Sequence, residues 1–389
     1  NEDVVKKINN SQTHIFEPDL DKLVVDVVSK KSLIASTEYK KADVFIITVP
    51  TPFLEGNKPD TSYVKDAIDN IAPLLERGNL IIIESTCPIG TTEAMIGRMS
   101  ELRADLIFPS LRDEDIESDI SIAYCPERVL PGNILKELVS NDRIIGGFTE
   151  VCSKKAEGIY KTFIKGSCFL TDAKTAELCK LAENSYRDVN IAFANELSII
   201  SDKAGIDPWE LINLANKHPR VAILQPGPGV GGHCIAVDPW FIVDSYPDES
   251  KLIKTSRDVN NSKTFFVLEK IKRTVKESSI KIKDLSITCL GLSFKPDIGD
   301  LRESPAMNVV ENLQNMGLKK IFVVEPHIEK IPEELNSNIV ELIDLDEAIE
   351  ASELVIILVK HKSFLNIRLE LLNNRKVIDT VGLIKNLEG

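Results

Sequence analysis

No stretch of this 389-residue sequence approaches the eighteen or so uninterrupted apolar residues that a membrane span needs, and no signal peptide opens it. A membrane partner is not expected. The seven cysteines (Cys87, Cys125, Cys152, Cys168, Cys179, Cys234, Cys289) are odd in number and contain no C-x-x-C pair. Free thiols in a reducing, cytoplasmic compartment are therefore expected, with neither a disulfide framework nor a metal site. Positive charge is also short: 47 Lys and Arg stand against 60 Asp and Glu, for a net charge of −13, which argues against a nucleic-acid surface. An anionic ligand would have to be held by a few local cations.

What is present is an ordinary globular composition, 43% hydrophobic and 28% charged, long enough for two or three cores. The stretch around which the rest is arranged runs from Gln225 to Asp238, QPGPGVGGHCIAVD. Its glycines and prolines exclude a helix or central strand, so it is a shaped loop. By itself it reads most simply as a glycine-rich turn with a packed cysteine. It also offers what covalent catalysis needs: a thiol, Cys234, that can meet a substrate carbon, and a carboxylate four residues on, Asp238, to handle water or a proton.

Residues 1–150 alternate short apolar runs (Asp43–Val49, Asn79–Ser85, Ile120–Tyr124) with helical patterns such as Thr61–Glu76, which predicts a parallel sheet covered on both faces. Ligands bind beyond the carboxyl ends of such strands, where Val49-Pro50-Thr51-Pro52 and Ser85-Thr86-Cys87 lie. No G-x-G-x-x-G turn with a following acid precedes these strands. The sequence enters a polar helix at Glu2–Asn9, as though met after a first βα unit and second strand, so either the chain starts further upstream or this version is truncated. Tyr124–Gly132 (YCPERVLPG) is another strand end, with Glu127 and Arg128 readable as a solvated ion pair or as an acid and a cation of a site. Asp172 caps a long helix to about Lys203, stopped by Gly205, on which Lys180, Asn184 and Arg187 share a face. The apolar and small residues around most of this helix predict burial on several sides, as a spine or a dimer contact. A short helix follows from Pro208 and a long one over about Glu249–Glu277. Lys281–Lys283 lead into a second α/β region with strands at Leu285–Leu290, Lys320–Glu325, Leu354–Val359 and Val377–Asp379 and helices at Ser304–Met316 and Asp344–Ala351. Its first loop carries Phe294, Lys295 and Arg302, the two cations being placed for an anion.

Six loop motifs in order, VPTP, ESTCPIGTT, YCPERVLPGN, the AELCKLAENSYRDVN helix, HPRVAILQPGPGVGGHCIAVDPWF and GLSFKPDIGDLRESPAM, resemble those of the nucleotide-sugar 6-dehydrogenases over nearly the whole chain. Within that family the CPERVLPG and HCIAVDPWF forms are similar to the branch acting on UDP-N-acetyl-D-mannosamine, with UDP-N-acetylglucosamine or another UDP-N-acetylhexosamine as the alternative.

The resemblance implies two Rossmann-like domains joined by a long central helix, an α/β fold whose N-terminal domain lacks its first βα unit. The domains would be residues 1–171 for NAD, 172–280 for the central helical and dimerisation segment, and 281–389 for the UDP-sugar. It implies a four-electron oxidation of the sugar C6 alcohol to a carboxylate with NAD, through a thiohemiacetal and a thioester on Cys234. Lys180 and Asn184 would activate the thiol and stabilise the oxyanion, and Asp238 and Glu127 are alternatives for handling water. The substrate would meet Arg128, Val129, Lys180, Asn184, Arg187, His218, Arg220, Gly231, Phe294 and Lys295, with His218 and Arg220 reaching in from a second subunit of a homodimer or higher oligomer. NAD would meet Val49, Pro50, Thr51, Thr86 and Arg302. His233 shapes the loop, while His14, His327 and His361 belong to structure or surface. A chain that binds the UDP-sugar but cannot hold NAD is the non-catalytic alternative.

Overall fold

The computed structural model describes residues 1–15, 17–111, 117–130 and 132–388, so Pro131 of the CPERVLPG motif lies outside the described residues. The chain divides into two compact units, residues 1–182 and 183–389.

In the first unit, helices α1 (Glu2–Asn9) and α2 (Leu20–Ser29) precede β1 (Val44–Ile47) and a small hairpin, β2 (Phe53–Leu54) and β3 (Lys58–Pro59). Then come α3 (Ser62–Ile71), β4 (Leu80–Ile83), α4 (Thr91–Leu102), β5 (Ser121–Tyr124), α5 (Ile134–Ser140), β6 (Arg143–Gly147), α6 (Glu150–Tyr160) and β7 (Cys168–Asp172). The predicted runs around β1, β4 and β5 are strands because alternate residues face two different cores. Ile81, Ile83, Ile122 and Tyr124 enter one cluster, and Leu80, Ile82, Ala123 and Cys125 enter the other. Sheet order is β1-β4-β5-β6-β7.

One junction departs from the parallel sheet expected: β5 and β6 are antiparallel, pairing Tyr124 with Gly146. The connection between them holds only α5, seven residues and so about 10 Å long, too short to carry the chain back across the sheet. Sequence reading assigns no element between Gly132 and Asp172, where β7 is largely exposed and β6 carries Arg143 and two glycines, so the apolar signal is diluted.

Asp172 caps α7 (Ala173–Ala204) as expected, its carboxylate accepting from the Thr175 N–H at 2.9 Å, and Gly205 ends the helix at φ +69°. Within the single chain α7 is buried on part of its surface only. Ala176, Leu181 and Ala194 are buried, yet Tyr186, Phe193 and Ile200, seven residues apart in turn, are 70%, 52% and 55% exposed.

The second unit continues with α8 (Pro208–Ala215), α9 (Asp238–Ser245) and α10 (Lys251–Lys276). Its sheet is built of β8 (Ser286–Leu290), β9 (Lys320–Val324), β10 (Val340–Leu342), β11 (Leu354–Ile357) and β12 (Lys376–Asp379), with α11 (Pro305–Leu313) and α12 (Leu345–Glu350) in the connections. All strands are parallel, in the order β10-β9-β8-β11-β12. Cores again cover both faces: Ile287, Cys289, Ile321 and Val323 on one, Leu290, Val324, Val355 and Ile357 on the other.

Candidate active site

In the second unit the glycine-rich loop is held in shape by side chains from α7 and α10. Asn195 Oδ1 accepts the Gly227 N–H at 2.9 Å and its amide donates to Asn260 Oδ1, while Thr264 Oγ1 donates to the Pro228 carbonyl. Asn260 in turn donates to Asp188, whose carboxylate lies 2.6 Å from the Arg257 guanidinium, and all three residues are almost fully buried. The loop then packs so closely on the β8 side that only glycine fits. A Cβ at Gly231 would lie 2.2 Å from the Glu303 carbonyl oxygen, and one at Gly232, where φ is +85°, 2.7 Å from the Phe294 ring.

This packing delivers Cys234 on a turn into α9. Its carbonyl accepts the Val237 and Asp238 N–H groups at 3.0 and 2.8 Å. Asp238 is 2% exposed, and Asn184 from α7 donates to its carboxylate at 2.5 Å. Asn184 thus meets Asp238, and the Cys234 main chain meets the Asp238 N–H. Cys234 is exposed, whereas Cys87, Cys125, Cys152 and Cys289 are buried. Burial pushes the Cys125 and Cys289 thiols up to about 12 and Cys87 higher still, so these stay protonated and unreactive. Arg302, beside the loop, donates its N–H to Asp300 Oδ1 at 2.9 Å and 2.6 Å to Oδ2; the Asp300 carboxylate first, and the Cys234 thiol among lesser influences, raise its pKa. His218 Nδ1 accepts the Arg220 N–H, and both residues are exposed, as is Arg187; Lys295 is half-buried in its loop.

In the first unit a second group forms at the carboxyl rim of the sheet. Glu127 Oε2 lies 2.5 Å from Arg143 Nη2, Oε1 accepts the Arg128 N–H, and the Glu127 carbonyl accepts from Lys180 Nζ at 3.1 Å. Glu127 and Arg128 are therefore not merely a solvated pair; the buried partner is Arg143, 4% exposed. Arg143 also approaches Glu84 at 3.5 Å and lies 4.6 Å from the centre of the Tyr160 ring. Tyr160 donates to Glu84 at 2.5 Å, and burial raises the Glu84 pKa. The Arg128 guanidinium donates to the Asp142 carbonyl, with Val129 half-buried beside it.

Past β1 and β4, Ser85 Oγ ties the two strand ends together by donating to the Val49 carbonyl at 2.7 Å, next to exposed Pro50, buried Thr51 and half-buried Thr86. The neighbouring N-terminus of α4 is already filled: Glu177 accepts the Gly90 and Thr92 N–H groups at 2.6 and 2.8 Å. Two N–H groups at that helix end are thus spent on Glu177.

Residues 1–164, 174–262 and 288–386 match, in turn, the NAD binding, central and UDP binding domains of one family. The chain belongs to the UDP-glucose/GDP-mannose dehydrogenase family. It is 52% identical over 383 residues to the NDP-N-acetyl-D-galactosaminuronic acid dehydrogenase of Ralstonia solanacearum, covering 98% of this chain and 89% of that one. To the UDP-N-acetyl-D-mannosamine dehydrogenase of Campylobacter jejuni it is 53% identical over 370 residues, covering 95% and 89%. Among solved structures, the UDP-D-ManNAc dehydrogenase of Pyrococcus horikoshii superposes with a TM-score of 0.86 at 36% identity, over 98% of this chain and 88% of that one.

As a nucleotide-sugar dehydrogenase of this family the chain uses NAD, and the strand ends carrying Val49, Pro50, Thr51 and Thr86 suit it. Among the described residues no helix is long and apolar enough to cross a membrane. Five residues that shape this dehydrogenase's sites, Arg143, Glu177, Asn195, Arg257 and Asn260, went unread in the sequence. The available signal was their polarity: Glu177, Asn195, Arg257 and Asn260 stand on helices, but their pairings lie 65 or more residues apart and leave no local trace, while Arg143 on β6 pairs with Glu127 16 residues away.

Proposed function

We propose that this dehydrogenase oxidises UDP-N-acetyl-D-mannosamine at C6 to the uronate, with Cys234 as the nucleophile. The observation that carries the reading is the exposed Cys234 thiol on a glycine-shaped turn whose next residues lead to buried Asp238, held by Asn184. Two NAD+, bound in turn, would each accept one hydride, the first from the C6 alcohol and the second from the thiohemiacetal carbon. The chain's own residues do the rest: Cys234 adds to the C6 aldehyde, the alkoxide so formed is stabilised by Asn184 and Lys180, and water carries the acyl group off the sulfur as carboxylate. Asp238 or Glu127 takes the proton from that water. Residues 1–171 hold NAD through Val49, Pro50, Thr51 and Thr86 together with Arg302 of the last domain, and residues 172–280 carry the thiol and the dimer contact. Residues 281–389 hold the uridine diphosphate through Phe294 and Lys295. Arg128, Val129, Arg187 and Gly231 complete the substrate contacts, with His218 and Arg220 supplied across a homodimer whose contact includes the exposed Tyr186, Phe193 and Ile200 stripe. Free thiols suit a cytoplasmic setting.

A second reading, oxidation of an N-acetylgalactosamine nucleotide, is favoured by the Ralstonia relative, identical at 52% over nearly the full chain. NADH release is measured with UDP-N-acetylmannosamine, UDP-N-acetylglucosamine and UDP-N-acetylgalactosamine side by side. Fastest turnover of the first, at two NADH per sugar, is expected. A higher kcat/KM for either of the other two sugars sinks the mannosamine assignment, and UDP-sugar binding without NADH from any of them sinks the catalytic one.

A further inference from the structure

Strand β8 lies between β9 and β11, and each neighbour places one buried ionisable group just past its carboxyl end: Glu325 after Val324, and His361 after β11. Both side chains are 0% exposed and meet at 3.1 Å, His361 Nε2 to Glu325 Oε2. The Asp297 N–H donates to His361 Nδ1 at 2.9 Å, which fixes the proton on Nε2 and makes that nitrogen the donor to Glu325. Glu325 Oε2 also accepts the Leu292 and Ser293 N–H groups at 2.7 and 3.0 Å. Burial would raise the Glu325 pKa, but these donors outweigh it and hold the group below the usual range. Ser293 Oγ donates to the Lys295 carbonyl, Asp297 Oδ1 accepts the Lys362 N–H, and Asp297 itself stands at φ +62°. The loop of 292–297 is thus fastened at both ends, with Phe294 and Lys295 between the fastenings. Asp297, His327 and His361 also form a cluster of metal-ligating types, but both His361 nitrogens are engaged and offer no lone pair to a cation.

We propose that Glu325 and His361 are positioning residues for the nucleotide diphosphate: they set the loop so that Phe294 and Lys295 meet the UDP group. This rests on the UDP-binding reading of residues 288–386. A backbone loop beyond a strand's carboxyl end is free to sample many conformations, and residues following two neighbouring strands fix this one through four hydrogen bonds to its main chain and to Asp297.

The test compares wild type with His361→Leu, which loses both hydrogen bonds, and His361→Gln, whose amide can donate and accept. UDP binding is read by calorimetry, and KM for each substrate and kcat by NADH release. His361→Leu is expected to weaken UDP and raise the KM for the nucleotide sugar by roughly tenfold or more, with the NAD KM and the kcat at saturating sugar near wild type; His361→Gln recovers most of the loss. If His361→Leu does not fold, Asp297→Val, a β-branched residue placed at positive φ on a partly exposed site, is expected to give the same split. UDP affinity unchanged in His361→Leu and in Asp297→Val, or UDP and NAD weakened alike, overturns the proposal. Wild-type protein that fails to bind UDP overturns the UDP reading along with it.

Discussion

The side-chain amide of Asn184 donates to the carboxylate of Asp238 across 2.5 Å, at a position where Asp238 is 2% exposed. The amide proposed to meet the oxyanion is therefore also bound to this acid. Asn184→Asp sets a second carboxylate against the first, and one of the two must take up a proton. We expect kcat to fall about 10²-fold or more, with an acidic-limb shift in its pH profile that Asn184→Ala does not show. An unchanged profile in Asn184→Asp refutes the coupling.

Cys234 is the exposed thiol of this chain. Under native conditions a thiol reagent should consume it first, and Cys234→Ser should remove that fast phase. The same variant is expected to retain nucleotide-sugar binding and lose carboxylate formation by at least about 10³-fold, a magnitude typical of a lost nucleophile. Undiminished carboxylate yield removes Cys234 from its role.

Arg143 lies buried between Glu127 and Glu84. Arg143→Met should leave those carboxylates without their cation and cost about 3–5 kcal/mol of stability by denaturant unfolding, more than a typical core substitution of similar volume. A loss under about 1 kcal/mol would mean the cation is not their main partner.

Lys263 on α10 is 5% exposed, donates to Ser198 Oγ at 2.5 Å and has Phe266 4.8 Å away. Burial first, then repulsion from Lys270, lowers its pKa to about 8. Between about pH 8 and the ordinary lysine value of about 10.4 the unfolded chain binds this proton and the native state does not, so stability rises with pH across that window. Lys263→Met should stabilise the protein at pH 7 by about 1–3 kcal/mol and abolish that rise. Equal pH slopes in variant and wild type contradict the burial effect.

Gly231→Ala, whose new Cβ would fall 2.2 Å from the Glu303 carbonyl oxygen, should push the loop off its seat. We expect kcat/KM about 10²-fold lower, as a displacement of about 1 Å in a reacting group commonly gives. Wild-type kinetics would show that the loop can yield without moving Cys234.

The apolar runs of β4, β5, β8, β9 and β11 are plain in the sequence because strands buried on two faces need continuous hydrophobicity. The loop from Gln225 to Asp238 was plain for the opposite reason, since glycine and proline leave no other choice. Strand β7 escaped because edge exposure breaks the run, as at Phe169 and Leu170, 56% and 41% exposed, and β6 because its arginine and two glycines leave only Ile144 and Ile145 as an apolar signal. The face shared by Lys180, Asn184 and Arg187 followed from helical spacing, but spacing alone could not say that Asn184 would meet Asp238, 54 positions away.

The reversal of β6 has a further effect on the chemistry. Extending the pairing of Tyr124 with Gly146 outward by three residues on each strand sets Glu127 opposite Arg143. Had β6 run parallel to β5, its five residues would have carried Arg143 to the far rim, roughly 16 Å away. The guanidinium reaches the acid because it stands on the first residue of a backward-running strand. Deleting one residue between Tyr124 and Glu127 would therefore slip acid past cation while every chemical group remained in the chain.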